Sequence, residues 1–134
     1  MNSHPQQQTI YKMEEQEKKI PNLHIDAKNR IVEETKKIPL LVNGETVQIT
    51  IRKLNTGIRN KIRTDCAKTT IIGGQPQVKI DELEIQEKIL AQAITEAPFE
   101  ISVEMIKKLP AEVTDYLFEE YSRFAEPSEK KNIN

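Results

Sequence analysis

The chain has 134 residues and a formal net charge of −1 at pH 7, with 37% apolar and 31% charged residues. That is enough for one domain with polar ends, and no stretch approaches the roughly 20 apolar residues of a membrane span. A single cysteine, Cys66, excludes an intramolecular disulfide and fits a reducing compartment. There is no Trp, so the core has to come from Ile, Leu and Val.

Charge is divided along the chain. Residues 36–79 carry nine Lys/Arg against two acids, and residues 81–126 carry four against twelve. Opposed halves of this kind form either solvated faces that attract one another within the domain or complementary surfaces between copies or partners.

Residues 1–35 are rich in Gln, Glu, Lys and Asn with scattered apolar residues. Such a stretch cannot bury enough surface to offset its ordering entropy, so a disordered arm is expected, with a transient helix over 11–20. Residues 36–126 are expected to form one domain, followed by a polar tail at 127–134. Within the domain, Asn43-Gly44 is the preferred two-residue hairpin turn. It pairs Val42 with Glu45, Leu40 with Val47 and Ile38 with Ile49, which puts the apolar residues on one face. Pro39 makes the first strand an edge.

Asn55 or Thr56 then caps a helix expected to run to about Thr70, with Ile58, Ile62 and Cys66 on its buried side. Ile72 to Pro76 reads as a loop. Asp81 with Glu84 starts a second helix, expected to run to about Thr95. Its apolar residues cover about half the circumference, as suits a central helix packed against both the hairpin and the Val113–Phe124 helix. Ser102 caps a short third helix, and Pro110 suits the first turn of the fourth. Val113, Leu117, Tyr121 and Phe124, with Tyr116 flanking, make an apolar stripe on that last helix. The fold class is therefore α+β, one β-hairpin on about four helices.

Nothing in this pattern carries catalysis. His4 and His24 both fall in the arm, where no geometry holds them. Two distant histidines and one cysteine give no zinc spacing. Of the acidic cluster, Glu84 and Glu87 are neighbours on the helix, and Asp81 and Glu82 suit its positive N-terminal end better than a converging metal site. Gly73-Gly74 lacks the Gly-Lys-Ser/Thr of a phosphate loop. No cofactor is implied. Arg52, Lys53, Arg59, Lys61, Arg63 and Lys68 make a basic segment that supports an alternative nucleic-acid-binding or regulatory reading. Phe118 lies off the stripe, and either is exposed or packs on Met105 or Ile106. Glu120 interrupts the stripe. Phe118, Glu120, Tyr121, Phe124 and Tyr116 are therefore the candidate partner-binding residues.

Three segments carry a resemblance: Asn43 to Leu54 entering a helix, Ile94-Thr95-Glu96-Ala97-Pro98-Phe99 closing the central helix, and Leu109 to Leu117 opening the last one. In order and spacing, residues 36–125 resemble the tail assembly chaperones of long-tailed phages and prophages, with the N-terminal arm outside the pattern. The resemblance implies a non-enzymatic protein that binds the helix-rich tape-measure protein in the host cytoplasm, keeps it soluble and promotes tail-tube assembly around it. It implies absence from the mature virion and a chain like the short product of families with a frameshifted longer form. The tail-tube protein and further copies of the chain are the other expected partners, and a minor structural protein of the virion is the further alternative to the chaperone role.

Overall fold

A computed structural model of the chain describes residues 20–125. The expected helix over 11–20 lies outside the described residues except for its last position, as do His4 and the tail at 127–134. Two compact units divide the chain, residues 33–125 and the remainder.

In the second unit, residues 20–32 hold a small turn within the stretch expected to be disordered. Ile25 and Ile31 bridge across it. The Asp26 carboxylate accepts from the Lys28 and Arg30 N–H groups at 2.8 and 2.9 Å, and Asn29 takes a positive φ of 61°. This is the local side-chain bonding to which Asp and Asn are suited.

The 33–125 unit begins with β1 (Thr35–Val42) and β2 (Glu45–Arg52). Their register is the expected one: Val42 with Glu45, Leu40 with Val47, Ile38 with Ile49. Asn43 and Gly44 have φ of 54° and 83°, the two positive values a two-residue turn of this kind needs. The other side of β2 pairs with β5 (Ile94–Glu96), giving the order β1-β2-β5 and leaving β1 an edge. Thr50 is buried in the middle of this sheet, and its hydroxyl donates to Glu96 Oε1 at 2.7 Å.

Helix α1 (Thr56–Asp65) is capped by Asn55, which accepts from the Ile58 N–H at 2.8 Å. It stops five residues short of the expected end. Residues 67–72 instead form β3 (Ala67–Ile72), which turns at Gly73-Gly74 into β4 (Gln75–Ile80). The expected loop is thus the tip of a second hairpin. The run Thr69-Thr70-Ile71-Ile72 is β-branched throughout, and such side chains lose rotamer freedom in a helix and fit a pleated strand. The same cause ends α2 (Glu82–Ala93) at Ala93, because Ile94 and Thr95 enter β5. Asp81 caps α2, accepting from the Glu84 N–H at 3.1 Å.

Ser102 caps α3 (Val103–Lys108), accepting from the Met105 N–H at 3.1 Å. The Pro110 carbonyl accepts from Thr114 N–H at 3.2 Å and opens α4 (Ala111–Ala125). Helix α2 touches α1, α3, α4 and β5, as its broad apolar arc implies. Ile38, Ile49 and Ile51 from the sheet, Ile85, Ile89 and Leu90 from α2, and Leu117 and Tyr121 from α4 close one core. Cys66, at the C-cap of α1, joins that core. Burial pushes its thiol pKa up, with Glu84 adding to the effect, so it behaves as a small hydrophobe.

Candidate functional site: a groove beside the β1 edge

Pro39 has no N–H, so its pair with Gln48 must be a non-hydrogen-bonded position of the ladder. At such positions the backbone groups point away from the partner strand. The Pro39 carbonyl therefore faces outward, and there it accepts the hydroxyl proton of Tyr116 from α4. Between the two elements lies a groove of about 540 Å³ lined by Pro39, Leu40, Leu41, Thr46, Glu112, Val113 and Tyr116. Leu41 is 70% exposed on its rim. Partial burial, with Glu120 nearby, holds the Tyr116 hydroxyl above its ordinary pKa. Among the described residues the lining is thus mostly apolar, with one carboxylate, Glu112, and the hydroxyls of Thr46 and Tyr116.

Of the five expected partner-binding residues, only Tyr116 lines this groove. Tyr121 is 3% exposed and belongs to the core, so it presents no surface in this conformation. Phe118 is half-buried against that core, its ring 6.2 Å from the Tyr121 ring, which is nearer the packed of its two expected positions than the exposed one. Glu120 is mostly covered and meets Arg123 at 3.5 Å. Phe124 is half-buried under the Lys53 ammonium, 5.1 Å from its centroid. Leu117, Tyr121 and Phe124 of the α4 stripe thus face inward, and its first residue, Val113, opens onto the groove together with the flanking Tyr116. The sequence does not single out Pro39, Leu40, Leu41, Thr46, Glu112 or Val113 as groove residues, because a strand sequence does not show which helix lies along its edge.

The basic segment is divided between β2, α1 and β3 and is partly neutralised. Arg52 meets Glu33 at 3.2 Å and donates to the Gln92 carbonyl at 2.9 Å. Lys53 meets Glu34 at 3.2 Å, and Lys61 meets Asp65 at 3.3 Å. The acidic cluster is also engaged: Glu84 pairs with Lys88 at 3.7 Å and Glu87 with Lys107 at 3.9 Å. Among the described residues no group of three or more His, Cys, Asp or Glu is placed to hold a metal. No helix among them is long and apolar enough to cross a membrane.

A family model described as "Phage XkdN-like tail assembly chaperone protein, TAC" matches residues 13–115. The match covers much of the N-terminal stretch expected to lie outside the family pattern, and all of the groove except Tyr116. No curated protein and no solved structure matches the chain. A tail assembly chaperone family implies protein partners in tail assembly and suggests a non-enzymatic role. The chain belongs to the XkdN-like tail assembly chaperones of phages.

Proposed function

We propose that this chaperone binds the tape-measure protein in the host cytoplasm, keeps it soluble and promotes assembly of tail-tube subunits around it, without entering the mature virion. The observation that carries this reading is the Tyr116–Pro39 bond at the groove. Pro39 offers no outward N–H and its carbonyl is occupied, so the middle of the β1 edge cannot accept an added strand. An apolar trough beside a closed strand edge suits the apolar face of an amphipathic helix. A tape-measure protein with long helices would present many such faces, and weak contacts repeated along it add through avidity.

The test is co-expression with the tape-measure protein, scoring its solubility and co-purification. The expected result is a partner that is insoluble alone, soluble with the wild-type chain, and lost to the pellet with Leu41→Glu. Leu41 is exposed, so that substitution leaves the core alone. A tape-measure protein that is soluble alone and does not co-purify would overturn the reading.

A further inference from the structure

Proteins guard the open edges of their sheets, because unpaired N–H and C=O groups invite another strand. Among the described residues, three of the four outer edges are short or carry a proline. Strand β1 has Pro39 with its carbonyl taken by Tyr116. Strand β5 has only three residues. Strand β4 has Pro76 opposite Ile71, which removes one of the outward N–H groups on that edge and leaves those of Val78 and Ile80. Strand β3 has no proline, and its one edge charge is Lys68. The Cys66 carbonyl accepts from the Asp81 N–H at 3.3 Å, which turns residue 66 toward β4. By alternation Lys68, Thr70 and Ile72 also face β4, and Ala67, Thr69 and Ile71 direct their backbone groups outward. The register from Ala67↔Ile80 to Ile72↔Gln75 is continuous, so no bulge interrupts this edge.

The two faces of the hairpin differ. Ala67, Thr69 and Ile71 share one face with Pro76, Val78 and Ile80, and Lys68 and Lys79 stand directly opposite one another on the other face. Every residue of both strands is exposed, with Ile71 at 75% and Val78 at 66%. A lone two-stranded hairpin is marginal in water, and like charges directly across a ladder weaken it further. Asp81 and Glu82 line the hollow of about 480 Å³ where the lysine face meets α2. Asp81 is engaged as the α2 cap, and neither acid forms an ion pair with Lys68 or Lys79 among the described residues.

We propose that the outer edge of β3 is a strand-addition site for an extended segment of a partner protein in which apolar and acidic residues alternate. Its backbone bonds Ala67, Thr69 and Ile71, its apolar side chains continue the Ile71–Val78 face, and its carboxylates lie beside Lys68. Charge selects this occupant over a second copy of β3, which would add lysines to a face that already holds two. The contact uses a different element from the β1 groove and does not rest on tape-measure binding.

The probe is a short peptide of alternating Val and Glu, titrated against the full chain with amide exchange followed by NMR, beside a counterpart with Lys in place of Glu. The Val/Glu peptide is expected to bind, to protect the Thr69 and Ile71 amides, and to weaken as salt rises. Thr69→Pro removes one outward N–H while sparing the β3–β4 ladder, and is expected to weaken binding roughly tenfold, the worth of about one hydrogen bond. Lys68→Glu should transfer the preference to the Lys peptide. The proposal is overturned if the Val/Glu peptide does not bind, if both peptides bind equally, or if Thr69→Pro binds as tightly as wild type. It is overturned too if the chain alone forms a dimer that Thr69→Pro abolishes, since the edge would then belong to a second copy.

Discussion

The Tyr116 hydroxyl donates to the Pro39 carbonyl across 77 positions of sequence, tying the last helix to the outer edge of the first strand. Tyr116→Phe keeps the ring and removes this bond. Because the site is solvent-accessible, water partly replaces it, and a loss of about 0.5–1 kcal/mol in urea unfolding is expected. The hydroxyl's raised pKa has a pH consequence of defined sign. The folded state holds this proton more tightly than the unfolded chain, so its contribution is complete below the ordinary tyrosine pKa of about 10 and is lost as pH climbs above it. Wild type should therefore lose more stability than Tyr116→Phe between neutral and strongly alkaline pH. Parallel pH profiles for the two would contradict this.

The turn between β1 and β2 depends on Gly44, which sits at φ 83° with open space where a Cβ would go. The cost of a side chain there is conformational, not steric contact. Gly44→Ala is expected to lower the unfolding free energy by about 1 kcal/mol, with little change in the folded spectrum.

Cys66 is fully buried, and burial raises its thiol pKa. A thiol reagent should react with the native chain only as fast as the chain opens, and addition of denaturant should release the reaction. Since the folded pKa lies above the unfolded one, this group's contribution is complete below about pH 8.5 and declines as pH rises past it. Cys66→Ser places a hydroxyl in the core and is expected to cost about 1–3 kcal/mol. Rapid labelling of the native protein would contradict the packing described.

Phe118 and Leu41 should separate stability from binding. Phe118 is packed on the core beside Tyr121, so Phe118→Ala should destabilise by about 1–3 kcal/mol, less than for a fully buried ring. Leu41 stands on the groove rim, so Leu41→Glu should leave the melting temperature nearly unchanged. A Phe118 variant that melts like wild type would restore that ring as a surface residue.

The segments legible in the sequence are those whose signals are local. Asn43-Gly44 requires positive φ at both positions, so turn, register and core face follow together. Asn55, Asp81 and Ser102 cap their helices because their side chains reach an N–H three residues on. The second hairpin was equally local in principle. Gly73-Gly74 joins a β-branched run to a second strand, but the spacing of Ile58, Ile62 and Cys66 invites extension of the helix through it.

The sequence by itself determined the α+β class, the first hairpin and three capped helix starts, because each rests on neighbours a few residues apart, and it carried the family likeness through the order and spacing of such local segments. Tertiary structure alone decided which surfaces are left over. Phe118 and Tyr121 turn inward because α2 and the sheet lie beneath them. Pro39, Leu41 and Val113 become a groove because α4 lies along a strand far from it in sequence. Burial depends on what packs against a side chain, and that partner is set by the whole fold.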